Sequence, residues 1–155
     1  MNNLDLNMIY KKIDFINRFK KISVNHNDFK NSLTGNDKEM YDRILSKFIY
    51  SVKYLKKETF YKIEEKWDNI TFIFQLGLKN GIVEPMLYIK LEDKYIGPDH
   101  RFDSICEKLD DSFSRREFPI PVYSSEEELE EILTVIFEMY EDFKTEFIKQ
   151  NRTDD

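Results

Sequence analysis

Two histidines, one cysteine and four glycines are a thin supply of site-building residues for a chain of 155. His26 and His100 lie far apart and neither has companions at metal-ligand spacing. The run His100-Arg101-Phe102-Asp103 with Cys106 offers a base and a nucleophile. A helix through this stretch, however, puts positions 100 and 106 on different sides, so Cys106 reads as a small core residue and His100 as a solvated group in a first turn. Glu64-Glu65, Glu92-Asp93 and Asp110-Asp111 are adjacent carboxylates. Neighbours on a strand point to opposite faces, so these pairs suit strand ends and turns better than acid/base chemistry. Four glycines leave no glycine-rich phosphate loop. The expectation is a protein with no catalytic residues, no metal site and no cofactor.

The charged residues are more informative. Lys53, Lys56, Lys57, Lys62 and Lys66, interleaved with Tyr54, Phe60 and Tyr61, have the types of a nucleic-acid patch. Glu58, Glu64 and Glu65 dilute it, and a solvated helix end and strand accounts for it better. Near the other end of the chain, Glu127, Glu131, Glu138 and Asp142 fall on one face at 100° per residue, with Thr134 and Thr145 between them and Glu141 beside them. Like charges one turn apart cost a few tenths of a kcal/mol per pair unless a cation approaches. These four acids are the predicted partner-binding residues, and Val135, Met139 and Ile148 widen the adjoining apolar stripe for further contact.

Net charge is −6, unevenly spread. Residues 1 to 66 carry 14 Lys and Arg against 9 Asp and Glu, and residues 67 to 155 carry 10 against 21, so the surpluses are +5 and −11. An acidic half repels phosphate and steers a basic protein, which predicts no direct nucleic-acid binding and a basic partner. Hydrophobic residues make up 41% and aromatics 15%, enough for one folded domain spanning 1–155. A single cysteine suits a reducing compartment. No basic, apolar leader opens the sequence and no uncharged apolar run is long enough to cross a bilayer, so a cytoplasmic protein without membrane contact is expected.

The elements that must position these residues are legible in outline. Trp67 to Leu91 predicts a β-hairpin: apolar residues take even numbers from Ile70 to Leu78 and odd numbers from Val83 to Leu91, with Asn80-Gly81 as the turn. A two-residue loop pairs Leu78 with Val83, Phe74 with Leu87 and Ile70 with Leu91. One face is then wholly apolar and the other mixed. A preceding strand over Thr59 to Trp67, turned by Asp68-Asn69, sets Ile63 opposite Phe74 and Phe60 opposite Gly77, but also places Glu65 against Phe72. Helical spacing predicts one amphipathic helix over 3–21 and a second from Asn36 or Asp37 to Lys56, whose stripe runs Met40, Tyr41, Ile44, Leu45, Phe48, Ile49, Val52 and Leu55. Residues 23–36 read as a loop with one helical turn.

Gly97-Pro98 ends the sheet run, Asp99 caps a short helix near 99–111, and the two prolines of Phe118 to Tyr123 demand an edge strand or extended connection. Ser124 and Ser125 before Glu126, Glu127 and Glu128 form overlapping capping boxes for a long helix over 125–149, followed by a frayed tail. The order predicts an α+β fold: an antiparallel sheet of three or more strands with the 70–91 hairpin central, covered on one face by helices.

Three stretches also carry a family likeness. They are Phe74-Gln75-Leu76-Gly77-Leu78-Lys79-Asn80-Gly81, then Gly97-Pro98 with Phe102, then Pro119 through Leu129 with Tyr140-Glu141-Asp142-Phe143-Lys144. In these, covering the second half, the chain resembles the small cytoplasmic immunity proteins encoded beside bacterial polymorphic toxins, including those of contact-dependent inhibition. The resemblance implies a non-enzymatic inhibitor that occludes the active site of a cognate toxin domain, a basic nuclease being one such target. A small acidic secretion chaperone or adaptor is the alternative expectation.

Overall fold

The computed structural model describes residues 5–97 and 100–153. The elements run α1 (Leu6–Lys12), α2 (Phe15–Asn25), a 3-10 turn (Phe29–Asn31), α3 (Lys38–Leu45), β1 (Lys53–Leu55), β2 (Phe60–Trp67), β3 (Ile70–Lys79), β4 (Ile82–Leu91), β5 (Lys94–Ile96), α4 (Phe102–Leu109) and α5 (Glu126–Thr153). The five strands form one antiparallel sheet in sequence order, and the fold is α+β.

The predicted hairpin stands residue for residue: Ile70 pairs with Leu91, Phe74 with Leu87 and Leu78 with Val83. Asn80 (φ 52°) and Gly81 (φ 77°) both adopt the left-handed conformation that a two-residue hairpin of this twist requires. Gly81 has a second constraint. A Cβ there would lie 2.6 Å from the Leu33 carbonyl oxygen, because the 32–35 loop clasps the hairpin tip. The clasp is bonded on both sides: the Asn80 N–H donates to the Gly35 carbonyl, and the Tyr123 N–H donates to that of Gly81. The β2–β3 register is also as expected, Ile63 facing Phe74 and Phe60 lying across Gly77.

Helices cover one sheet face. Phe72 meets Phe147 of α5 (5.6 Å between centroids), Phe74 meets Tyr140 of α5 (4.8 Å) and Phe102 of α4 (6.0 Å). Ile73, Met86 and Tyr88 point the other way, onto a mixed face where His100 stacks on Tyr88 at 4.1 Å. Pro119 to Tyr123 is an extended connection joined to the sheet by a bridge between Val122 and Ile82, where the Val83 N–H donates to the Pro121 carbonyl.

Three expectations are corrected. The N-terminal helix is two helices, broken at Asp14 (φ 57°). On a straight helix at 100° per residue, Ile9, Tyr10 and Ile13 would point away from Phe15, Phe19 and Ile22. All six are buried, and the break is what turns both groups inward. The second helix ends at Leu45, not near Lys56. Phe48 and Tyr50 leave the helix to pack on Phe137 of α5, each at 4.7 Å, while Lys53–Leu55 adds an edge strand. Finally, α5 extends through Thr153, past its expected end at Lys149, so residues 151–153 are helical and not frayed. Pro98 and Asp99, expected to end the sheet and cap α4, lie outside the described residues.

Candidate protein-docking face

Of the two overlapping capping boxes expected before α5, the one between Ser125 and Glu128 forms, with its return bond shifted to Ser124. Ser125 Oγ accepts from the Glu128 N–H (3.1 Å), and the Glu128 carboxylate accepts in return from the Ser124 N–H (2.6 Å) and hydroxyl (3.0 Å). The same carboxylate meets His26 Nδ1 at 2.8 Å. Burial works against its ionisation, yet the bonds from His26 and Ser124 outweigh burial and hold Glu128 below the usual carboxylate range.

Further along, the basic first half of the chain and the acidic second half meet. Arg43 pairs with Glu126, Lys47 with Glu130 (2.9 Å), Arg18 with Asp142 (2.8 Å) and Lys12 with Glu146 (3.0 Å). Cations from α1, α2, α3 and the turn after α3 thus line both flanks of α5. Of the four predicted partner-binding residues, Asp142 is shared with Arg18 but keeps 55% of its side chain exposed. Glu127, Glu131 and Glu138 are exposed, and among the described residues none of the three has an ion-pair partner.

Beside Glu138 runs an open groove of about 480 Å³, walled by Phe48, Ile49 and Tyr50 on one side and by Thr134, Phe137, Glu138, Glu141 and Asp142 of α5 on the other, with Lys47 and Arg18 at its ends. Ile49 stands at its lip, 91% exposed. In the sequence Ile49 sits within a helix-spaced apolar stripe and was expected inside. The signal against a helix was the β-branched and aromatic run Phe48-Ile49-Tyr50-Ser51-Val52, which loses side-chain freedom in helical turns. Met139, expected at the flank, is instead in the core, with Val135 and Ile148 half-buried against it.

The groove's own flank of α5 resolves the conflict at Glu65. Its carboxylate accepts from the Tyr140 hydroxyl (2.7 Å) and from Lys144 (2.5 Å). Lys144 also reaches Glu141 (2.8 Å), which accepts from the Tyr50 hydroxyl (2.5 Å). Burial first, then the neighbouring carboxylates, push the Tyr50 and Tyr140 hydroxyls well above the usual phenol value. An acid on the apolar sheet face is thereby a tether between β2 and α5, and α5 is braced from both sides.

The residues considered for catalysis do not converge. Cys106 is fully buried, and burial, aided by Asp103, pushes its thiol up to about 12. His100 is not a solvated first-turn residue: it precedes α4, its carbonyl accepts from the Leu87 N–H, and its ring lies on Tyr88. Buried Asp103 is gripped by Arg101 (2.9 and 2.6 Å), with Arg115 at 3.3 Å. Glu64 and Glu65 point to opposite faces, the former pairing with Lys62 at 3.5 Å. Among the described residues, no group of three or more His, Cys, Asp or Glu is placed to hold a metal ion, and no helix is long and apolar enough to cross a membrane.

No known protein family matches this sequence, and no curated protein or solved structure is significantly similar to it. What the geometry offers is a helix with three carboxylates that no described cation pairs, one of them, Glu138, beside an exposed isoleucine and a groove. Such a surface attracts a cationic protein and gives it an apolar point of contact.

Proposed function

We propose that this chain is a cytoplasmic immunity protein. It binds a basic toxin domain through the outer face of α5 and inhibits it by occluding its active site, without chemistry of its own. The observation that carries the reading is the row Glu127, Glu131 and Glu138, left without cations among the described residues on a helix whose flanks are neutralised, with the exposed Ile49 beside Glu138. Leaving an isoleucine in water forgoes the roughly 1.5–3 kcal/mol that burial gives such a side chain, which a partner covering the lip would recover. The family resemblance of the second half points the same way.

The test is co-expression with the product of the neighbouring gene. A tight complex that suppresses that product's toxicity is expected, and a neighbour that neither poisons cells nor binds overturns the reading. A secretion chaperone is the second reading, favoured by Tyr95, 58% exposed and set against Tyr88 on the mixed sheet face, where an extended client would lie. It requires binding to unfolded segments, and light scattering with an unfolded client distinguishes it.

A further inference from the structure

We propose that the groove between Phe48–Tyr50 and α5 seats an arginine side chain of the partner protein. Its guanidinium meets Glu138 and its stem crosses Phe48 and Ile49. This refines the docking face on which the proposed function rests.

Residues 130, 134, 138 and 142 succeed one another at one-turn intervals along α5. The first and last of the series are already served: Lys47 holds Glu130 and Arg18 holds Asp142. The Thr134 hydroxyl donates to the Glu130 carbonyl and so is turned away from Glu138. Glu138 therefore lies between two ion pairs, one turn from the carboxylate of Asp142, and carries no cation of its own among the described residues. A positive group arriving there meets Glu138, which no described cation holds, and beside it Glu141, whose carboxylate already takes Lys144 and the Tyr50 hydroxyl, while Lys47 and Arg18 at the groove's ends are each matched to an acid.

The walls select the kind of cation. Phe48 and Tyr50 are half-buried with their rings against Phe137, and Ile49 projects above them, so the wall facing Glu138 is apolar. A guanidinium is planar, stacks on aromatic faces, is weakly hydrated and bonds a carboxylate through two N–H groups at once. A lysine ammonium keeps more of its hydration and binds as a point charge, and an apolar segment would bury Glu138 against nothing. The groove, about 480 Å³, lies within the roughly 300–1,000 Å³ typical of ligand clefts.

The test uses the full chain, 15N-labelled at low salt, titrated with hexa-arginine, hexalysine and hexaglutamate peptides. Hexa-arginine is expected to move the amides of Ile49, Thr134 and Glu138 and to bind several-fold more tightly than hexalysine, with no response to hexaglutamate. Glu138→Gln should weaken it about tenfold, the worth of one charge-assisted contact. Ile49→Ala should weaken it about threefold by removing the stem's apolar contact. Glu127→Gln should leave it unchanged. Equal affinity for lysine, shifts centred on Glu127 and Glu131, no shift at all, or indifference to Glu138→Gln would each overturn the assignment. So would concentration-dependent shifts of the same amides without peptide, which would give the groove to a second copy. A neighbouring gene product that fails to bind while hexa-arginine still seats removes the toxin reading and leaves the groove. A toxin domain that binds the Glu138→Gln chain as tightly as the parent removes the groove and leaves the reading.

Discussion

Glu65 shows how a residue that breaks a pattern can be the one that fastens two layers. It stands among Phe72, Tyr61 and Ile63 on the covered sheet face, and its carboxylate is bonded by Tyr140 and Lys144, the latter only 13% exposed. Glu65→Ala strands a buried phenol and leaves the Lys144 ammonium to Glu141 alone, so a loss of about 1–3 kcal/mol is expected in urea unfolding. Glu128 makes a pH prediction. Its folded carboxyl titrates below the ordinary 4.5, so the ionised form favours the folded state. That contribution is complete above about pH 4.5 and fades as pH falls through the lowered value. Glu128→Gln should therefore cost stability at pH 7, with the gap to the parent closing as pH falls through the lowered value in a pH series of unfolding curves. Cys106, with its thiol pushed up to about 12, is expected to resist thiol reagents until the chain unfolds, which a labelling time course reads directly.

At the scale of elements, caps and turns carry the specificity. Ser125→Ala removes the hydroxyl that receives the Glu128 N–H and should cost about 1 kcal/mol of thermal stability. Gly81→Ala should be worse than a hairpin substitution ordinarily is, since it combines a positive φ with collision against the Leu33 carbonyl and Ser32. The hairpin and the α5 start were legible in the sequence because turn chemistry, alternation and capping residues point to the same register independently. The second helix was not, because Phe48, Val52 and Leu55 satisfy helical spacing while being used as a turn and an edge strand. The break at Asp14 had no glycine to announce it. The acidic face of α5 was visible from periodicity alone, but which acids stay uncompensated depends on Arg18, Arg43 and Lys47, residues 83 or more positions earlier. Ile49 escaped for the same reason as the helix that was expected to hold it.

For the whole molecule, the surpluses of +5 and −11 do not sit on opposite poles; most of the first is spent along the flanks of α5. Substituting acids at different positions of the same helix should therefore have different effects. Glu131→Lys with Glu138→Lys is expected to slow association with the proposed basic partner by about tenfold or more at low salt, an effect that shrinks as salt rises, with little change in thermal stability. Glu126→Lys with Glu130→Lys should do the reverse, lowering thermal stability slightly by opposing Arg43 and Lys47 while leaving the association rate nearer the parent. Stopped-flow association and thermal melts of the two pairs decide between a docking face and an undifferentiated acidic surface.

The neutralising role of the early segments bears on how the protein is made. α1, α2 and α3 leave the ribosome well before α5, the helix they must flank, so until then Phe72 and Phe74 have no ring from α5 to lie against. The sheet can therefore close over its core only when the last helix arrives. A circular permutant that delivers α5 first should reach its native state earlier during translation, and the natural order should lean more heavily on holding chaperones.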